Sequence, residues 1–320
     1  MTLALVIPVH NDQHNLTRLL QQAAELGIFD QVILSDDGSD MPAHAEGSGL
    51  APDRVTQLRS PHATGAGAAR NRALARVTCD HLLFFDSDDL LTSEIALLWQ
   101  DLQGKDFDFC LFRHHDTRRD PHLSWGQLPL DNALWRQAGA GASVLFAPNQ
   151  AGVVSLAQTA NYPWNKIYRT DFLRAAGLCC SETPVHNDIK LHWLSFLHAR
   201  HILVSDRVAA IHEVRAHGQR LTNRSGKERL CVFEPLSEVA EALAADTKPD
   251  LREAFFHFTA NLLDWIRTVL APEHHPDLDR GTSTFLNRYL EPGVFDRMCR
   301  SDPLLALRLT LQMVETKTAC

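Results

Sequence analysis

Carboxylate side chains are concentrated in two short stretches of the sequence. Asp36 and Asp37 belong to the first stretch, and Asp86, Asp88 and Asp89 make up the second. Asp86 and Asp88 are two residues apart, so their side chains point to the same side while the chain is extended. Hard oxygen ligands of this kind suit Mg²⁺ or Mn²⁺, which keep waters and take remaining ligands from substrate phosphates. The spacing therefore predicts a divalent metal site at Asp86 and Asp88.

A glycine-rich segment, Gly65-Ala66-Gly67, stands just before a predicted helix that carries Arg70. The free amides and the dipole at a helix start attract an anion, and an arginine adds a charge-assisted hydrogen bond to phosphate. The segment is not a P-loop, because no Gly-Lys-Ser/Thr follows it, and it does not follow the first strand as a dinucleotide fingerprint does. A tight turn without a ligand is the alternative.

The elements that must position these residues alternate between strand and helix over the first 110 residues. Apolar runs predict strands at 3–9, 32–34, 55–58 and 81–85. Asp12 is predicted to cap a helix that ends at Gly27, and a second helix covers 68–76. Such alternation predicts parallel βαβ units and an α/β fold, in which ligands bind at the carboxyl ends of the strands. Both acidic stretches fall there.

Several acids at one sheet edge would repel one another unless a cation or donors from a ligand lie between them. The alternative is that individual Asp residues cap the helices that follow, because Asp is a favoured N-cap residue. One acid in each loop is explained that way, whereas three or more in each loop are not. We therefore favour a ligand site.

The remaining sequence divides at about residue 225. Apolar runs occur at 107–112 and 153–156, a helix is predicted at 188–198 and a strand at 202–204. Beyond 225, apolar residues recur at helical spacing from Leu251 to Val269, and another helix is predicted at 304–314. We predict a helical extension over 226–320 that packs on the first domain or forms a homodimer interface. Alternatively, its Trp265 and several Phe line an acceptor groove.

The composition excludes several classes of protein. The 320 residues are 45% hydrophobic and 22% charged, as in soluble globular proteins, and the net charge of -8 argues against broad nucleic-acid binding. No apolar run approaches the roughly 18 residues of a membrane span, and the first residues do not resemble a signal peptide. Seven Cys without CxxC spacing predict reduced thiols in a cytoplasmic protein. The pair His114-His115 is predicted to be solvated in a loop.

Four segments in order resemble the motifs of family 2 glycosyltransferases with the GT-A fold. They are Val6-Ile7-Pro8-Val9-His10-Asn11, Ser35-Asp36-Asp37-Gly38-Ser39-Asp40, Gly67-Ala68-Ala69-Arg70-Asn71 and Phe84-Phe85-Asp86-Ser87-Asp88-Asp89. Trp164-Asn165-Lys166-Ile167-Tyr168-Arg169 resembles the acceptor-side segment of that family, and 215–222 resembles a late motif. Val185-His186-Asn187-Asp188 stands where the family has Glu-Asp. The resemblance covers residues 3–225.

The resemblance implies a Rossmann-like mixed sheet flanked by helices, with 1–225 as the catalytic domain. It assigns the nucleoside to Pro8, the region of His10, and Asp36 or Asp37, and it places Arg70 near the pyrophosphate. Asp86 would face the ribose or the metal, and Asp88 would coordinate Mn²⁺ or Mg²⁺. Asp188 would be the general base. The acceptor-side residues would be Trp164, Asn165, Lys166 and Asn187.

The sequence departs from the family at two of these positions. His10 stands where the family commonly has Tyr, and Asn187 replaces the usual Glu before the base. Asp188 has an alternative role as the cap of the 188–198 helix. His212 and His217 are further candidates for a third metal ligand.

These observations predict an inverting, metal-dependent glycosyltransferase. Its donor would be a nucleotide-sugar, with a UDP-sugar expected, and its acceptor a glycan or a lipid-linked hydroxyl. The expected setting is surface-polysaccharide synthesis in the cytoplasm, peripheral to the inner membrane face. One alternative is a nucleotidyltransferase, which favours a basic glycine-rich loop where His10-Asn11-Asp12 stands. The other is a non-catalytic nucleotide-binding scaffold, suggested by Asn187.

Overall fold

The computed structural model describes residues 1–118, 126–214, 224–246 and 248–314. The 215–222 motif and His217 therefore lie outside the described residues. The strands are β1 (Leu3–Val9), β2 (Gln31–Asp36), β3 (Val55–Arg59), β4 (His81–Phe84), β5 (Leu90–Leu91), β6 (Phe109–Asp116), β7 (Leu145–Phe146), β8 (Lys166–Arg169) and β9 (Ile202–His212). The helices are α1 (Gln13–Leu26), α2 (Ala66–Leu74), α3 (Glu94–Leu102), α4 (Pro129–Gln137), α5 (Gln150–Ala157), α6 (Thr170–Ala175), α7 (Ile189–His198), α8 (Phe233–Ala244), α9 (Pro249–Val269), α10 (His275–Tyr289), α11 (Pro292–Ser301) and α12 (Pro303–Val314).

The strands form one mixed sheet in the order β3-β2-β1-β4-β8-β6-β9-β5, with β7 also paired to β9. β1 pairs in parallel with β2 and β4, and β6 pairs in parallel with β9. β8 is antiparallel to both β4 and β6. The carboxyl ends of β1, β2, β4, β6 and β9 therefore meet the amino end of β8 at one edge. This confirms the predicted α/β fold with flanking helices.

Periodicity located the first elements correctly. All seven residues of β1 are buried, as expected of a central parallel strand. α1 buries Leu16 and Leu19 and ends at Gly27, whose φ of 63° is the left-handed conformation that glycine adopts freely. Asp12 occupies the N-cap position, but its carboxylate accepts hydrogen bonds from the side chains of Asn15 and Ser87. The prediction that Asp12 caps the backbone is therefore wrong.

Two strands are longer than predicted. β6 continues to Asp116 and β9 continues to His212, and the two run side by side over their full length. His114 and His115 consequently lie inside β6, 1% and 3% exposed, so the prediction of solvated loop residues is wrong. The His114 ring packs edge-on against Trp164 at 4.9 Å between centroids, and burial lowers its pKa to about 3. Neutral imidazole is compatible with this apolar environment.

The C-terminal helices pack against the α/β part of the chain. The predicted stripe from Leu251 to Val269 forms the 21-residue α9. Trp193 of α7 contacts Phe255 and Phe258 of α9, with ring centroids 5.1 and 5.2 Å away. One apolar cluster joins the sheet, α7 and helices α8 to α12. The domain boundary at residue 225 stays a prediction. Among the described residues, every helix is too short or too polar to cross a membrane.

Gly67 allows α2 to lie directly on the loop that precedes α7. A Cβ atom at this position would stand 1.9 Å from the carbonyl oxygen of Ser181 and 2.9 Å from Cβ of Asn187. Because the first contact is with a backbone atom, a change of side-chain rotamer cannot relieve it. Only glycine therefore permits this approach, which brings α2 and its Arg70 against Asn187.

We predict that Gly67→Ala lowers the free energy of unfolding by about 2 kcal/mol, because the methyl group overpacks a backbone contact. Urea-unfolding midpoints measure the change. Gly293→Ala in α11 is the matched control, since no described atom lies within 4 Å of its added methyl. This control should raise the stability by up to about 1 kcal/mol. Equal midpoints for the two variants would contradict the packing described here.

Candidate active site

The acids that follow β2 are held by the protein itself. Asp36 accepts hydrogen bonds from the amides of Ser39 and Ala43 at 2.9 and 3.1 Å and from Arg59 at 3.0 Å. Burial alone would raise the pKa of Asp36, but these donors outweigh it and lower the pKa. Asp36 thus shapes the loop after β2 and stays ionised inside it.

Asp37 supplies the anion at the start of α2. Its Oδ2 accepts hydrogen bonds from the amides of Thr64 and Gly65 at 2.9 and 2.7 Å, and its Oδ1 from the Thr64 hydroxyl at 2.6 Å. Arg72 lies 3.4 Å away. The N-cap residues of α2 and α3 are Gly65 and Ser93. The helix-cap alternative for the acids is therefore wrong, and protein donors separate several of them where a ligand was expected.

The loop after β1 presents His10 at the sheet edge. Its Nδ1 lies 2.8 Å from the carbonyl oxygen of Asp37, to which it donates, and the ring is exposed. The Asn11 amide donates to the Ser39 hydroxyl at 2.9 Å. Pro8 is buried one position before the end of β1. The loops after β1 and β2 are thus fastened together, with one flat polar ring facing outward.

Arg70 joins the end of β4 to the loop before α7. Its guanidinium donates to Oδ1 of Asp86 at 2.5 Å and to Oδ1 of Asn187 at 2.8 Å. Arg70 is 5% exposed, whereas the Asp86 side chain is 30% exposed. Burial alone would lower the pKa of Arg70, but the Asp86 charge outweighs it and the pKa is raised. A permanent buried cation is therefore paired with a partly exposed carboxylate.

The end of the second acidic stretch forms a buried ion pair with β9. Asp89 accepts a hydrogen bond from Nδ1 of His212 at 3.1 Å and another from the amide of Glu213 at 2.9 Å. The His212 ring packs on Tyr162 and Trp164, with centroids 4.9 and 5.3 Å away. Burial lowers the pKa of His212, but the Asp89 charge outweighs it and raises the pKa. His212 thus ties β9 to the acidic loop, and its role as a metal ligand stays a prediction.

The acidic loop suits a cation whose coordination shell is completed by waters and substrate oxygens. Asp86 is partly exposed and Asp88 is half-buried two residues later. In the described part of the chain, His, Cys, Asp and Glu do not gather in threes close enough to hold a metal ion. Mg²⁺ and Mn²⁺ accept one or two carboxylates when waters and substrate phosphates complete the shell. The donor set is therefore compatible with those ions bound together with a diphosphate.

Asp188 lies at the N-cap position of α7. Within the described residues its side chain makes no capping hydrogen bond, so the capping alternative is wrong. Burial raises the pKa of Asp188 to about 6, although the nearby Arg70 acts in the opposite direction. At neutral pH the carboxylate is therefore ionised at a cost in stability, and pKa values shifted in this way cluster at functional sites.

The segment Trp164-Asn165-Lys166 lies inside the protein. Lys166 is 0% exposed and donates to Oδ1 of Asn165 at 2.8 Å and to the carbonyl of Tyr162 at 2.6 Å. Burial lowers the pKa of Lys166 to about 7, with Asp188 acting in the opposite direction. Trp164 stacks on Tyr162 with centroids 4.5 Å apart. These side chains are buried, and their acceptor-side role stays a prediction.

Three polar contacts near the site were not predicted from the sequence. They are the hydrogen bond between Ser87 and Asp12, the pair of Asp89 with His212, and the pair of Asp116 with Arg118. Two of them join residues far apart in sequence. The repeated acids of the second stretch were the available signal, but their partners depend on the order of the strands.

The fold and the site define a glycosyltransferase of the GT-A type. The model of glycosyl transferase family 2 matches residues 4–168, which is half of the chain. The chain therefore belongs to glycosyl transferase family 2. A segment of 84 residues is 39% identical to the pre-mycofactocin glycosyltransferase of Mycobacterium tuberculosis, covering 26% of this chain and 17% of that relative. The chain therefore matches less than a fifth of its curated relative.

Solved structures agree with the whole described fold. S. aureus TarS 1-349, in complex with UDP-GlcNAc, has a TM-score of 0.74 at 18% identity, covering 98% of this chain and 89% of that chain. The mannosyltransferase PcManGT from Pyrobaculum calidifontis, in complex with GDP-Man and Mn²⁺, has a TM-score of 0.53 at 13% identity, with coverage of 98% and 87%. At such identities the likeness concerns the fold, including the C-terminal helices.

We predict that Asp188→Asn stabilises the protein at pH 7.5. The folded-state pKa of about 6 lies above the ordinary value of 3.8, so the ionised side chain lowers stability as the pH rises through this window. The amide removes a cost of about 1–3 kcal/mol. Urea unfolding at pH 7.5 and at pH 4 measures the gain, which should fade at the lower pH, where the native carboxyl is neutral. Exposed Asp53, changed to Asn, is the control, and an equal gain there would contradict the assignment.

Proposed function

We propose that this glycosyltransferase moves one sugar from a nucleotide-sugar to a hydroxyl of a glycan or lipid-linked acceptor, with inversion at the anomeric carbon. The observation that carries the proposal is the Arg70 bridge. It fastens Asp86, at the end of β4, to Asn187, which precedes Asp188. The bridge therefore holds Asp86, which is assigned to the sugar donor, and the candidate base Asp188 in one site.

The donor is assigned to the ends of β1, β2 and β4. His10 offers an exposed ring to the nucleoside, above a loop that Asp36 and Asp37 hold in shape. Asp88 and Asp86 would hold Mn²⁺ or Mg²⁺. When bound, the ion supplies positive charge to the departing diphosphate. A UDP-sugar is the expected donor, and the complexes of the two fold neighbours with UDP-GlcNAc and GDP-Man support a nucleotide-sugar in general.

We assign Asp188 the role of general base, which accepts the proton of the acceptor hydroxyl. The hydroxyl oxygen forms a bond to the anomeric carbon while the bond from that carbon to the diphosphate oxygen breaks, and the proton goes to the Asp188 carboxylate. A pKa of about 6 leaves the group ionised at neutral pH and basic enough to accept a proton. Because the attack comes from the face opposite the leaving group, the configuration inverts.

Asn187 is suited to this site in spite of the departure from the family. Its amide oxygen accepts the Arg70 hydrogen bond without adding charge. A carboxylate there would place a third acid beside Asp86 and Asp188 and would draw the Arg70 charge away from Asp86. The neutral amide therefore preserves the bridge. The departure at Asn187 therefore does not by itself favour a non-catalytic scaffold.

The cellular setting is part of the same proposal. We infer a role in surface-polysaccharide synthesis in the cytoplasm, at the inner face of the membrane. The outer side of α12 carries four exposed apolar residues at helical spacing, which are Leu304, Leu307, Leu311 and Val314. Their face supplies an apolar surface for peripheral membrane contact or for a homodimer.

We predict that Asp188→Asn lowers the rate of sugar transfer by about 10²–10⁴-fold, because the amide cannot accept the proton. Nucleotide release from UDP-GlcNAc or GDP-Man in the presence of a saccharide panel measures transfer. The wild-type kcat/KM should rise with pH through about 6, since Asp188 must lose its proton.

The Asp53→Asn variant again serves as the control, because Asp53 is exposed on the turn before β3. It should retain the wild-type rate. Calorimetric binding of the nucleotide to Asp188→Asn shows that the donor site is intact. Transfer within tenfold of wild type in Asp188→Asn would remove this residue as the base.

A further inference from the structure

Trp265 is an exception within the apolar stripe of α9. Leu251, Ala254, Phe255 and Phe258 of the stripe are buried, whereas the Trp265 side chain is 40% exposed. An indole of this size left in water gives up a large favourable burial energy. The position of the exposed indole relative to the candidate site therefore determines whether it can bind a ligand there.

The path of α9 brings Trp265 to the catalytic end of α7. Leu251, near the start of α9, shares a cavity with Phe196, near the end of α7. Halfway along, Phe255 and Phe258 pack on Trp193. The two helices therefore run antiparallel. The last turns of α9 accordingly lie beside the start of α7, where Asp188 stands.

A direct contact confirms this arrangement. The Trp265 ring meets His186 edge-on, with centroids 6.3 Å apart, and His186 is two residues from Asp188. Two residues span at most about 7 Å, so the indole borders the loop that carries the candidate base. His186 has a φ of 59°, which is uncommon for a residue with a side chain.

The indole is also fixed in orientation. The Arg229 guanidinium lies 4.9 Å from the ring centroid, and Arg229 itself is 1% exposed. Its Nε donates to the carbonyl of Arg224, which keeps the guanidinium in place. A cation packed on one face and an imidazole at the edge hold the ring firmly. Little conformational entropy is then lost when a ligand packs on its exposed surface.

A polar residue borders the indole on its own side of α9. Thr268 lies three residues after Trp265, so the two side chains are neighbours on the helix surface, and Thr268 is exposed. A sugar ring presents an apolar C–H face for the indole and hydroxyl groups for the threonine. The site therefore suits a saccharide.

We propose that Trp265 is the stacking platform for the acceptor saccharide and determines which acceptors are used. The proposal rests on the proposed function, because the stacked ring is the one whose hydroxyl Asp188 deprotonates. Trp265 holds the acceptor and takes no part in proton transfer. The C-terminal helices thus contribute a part of the substrate site.

The test compares Trp265→Ala, Trp265→Phe and Leu97→Ala, an apolar residue of α3 that is 42% exposed and so matches Trp265 in exposure. Acceptors are methyl glycosides of glucose, galactose, mannose and N-acetylglucosamine, with ribitol as an acceptor without a ring. Trp265→Ala should raise KM for the saccharide acceptor at least about tenfold, with the donor KM within about threefold of wild type. Trp265→Phe keeps an aromatic face and should recover most of the loss, and Leu97→Ala should match wild type.

A second measurement is independent of turnover. Protein labelled with 5-fluorotryptophan gives a ¹⁹F resonance that is assigned to Trp265 by its loss in Trp265→Phe. The accepted glycoside should shift this resonance saturably, in wild type and in Asp188→Asn alike. An unshifted resonance, an acceptor KM within twofold of wild type in Trp265→Ala, or transfer to ribitol alone would overturn the proposal. Failure of the base assignment appears separately, as transfer that survives in Asp188→Asn.

Discussion

The site depends on one buried cation. Arg70 is nearly sealed from solvent, so its charge must be compensated by groups within reach. Asp86 supplies the compensating charge, and Asn187 supplies a neutral acceptor. These two partners belong to different parts of the chain, so the pairing of one guanidinium fixes the distance between the end of β4 and the start of α7. Gly67 makes the approach possible, because any side chain there would meet the backbone of Ser181.

Around this cation the protein neutralises several of its acids with its own donors. Asp36 and Asp37 are satisfied by amides and arginines, and Asp89 is paired with His212. Asp86, Asp88 and Asp188 are only partly buried. The same edge thus combines acids that are fixed by protein donors with partly exposed carboxylates.

Local pattern predicted the parts of the fold whose signal lies in neighbouring residues. The apolar run of β1, the stripe of α1 with its Gly27 stop and the stripe of α9 were all located from the sequence. β8 was missed, because four residues that begin with Lys166 carry no strand signal. His114 and His115 were assigned to a loop, since adjacent histidines look polar until aromatic rings surround them. Both errors arise because tertiary burial overrides local preference.

For the site, as for the fold, the sequence predicted local features but not contacts between distant residues. Ordered motifs identified residues that lie at this edge of the sheet, but the sequence did not reveal their hydrogen-bond partners. Arg70 and Asn187 are 117 residues apart, and Asp89 and His212 are 123 apart. Asp37 illustrates the consequence. A glycine-rich helix start predicted an external anion, and the fold provides an internal carboxylate from the neighbouring strand.

The most direct measurement of the central claim is calorimetric titration of UDP and GDP, with and without Mn²⁺, into wild type, Asp88→Ala and the exposed-site control Asp53→Ala. We expect one nucleotide to bind wild type and Asp53→Ala only when Mn²⁺ is present, and Asp88→Ala to weaken this binding at least about tenfold, a loss of about 1.4 kcal/mol. Binding that is equally tight in Asp88→Ala, or that ignores Mn²⁺, would contradict the assignment of the acidic loop to the donor diphosphate.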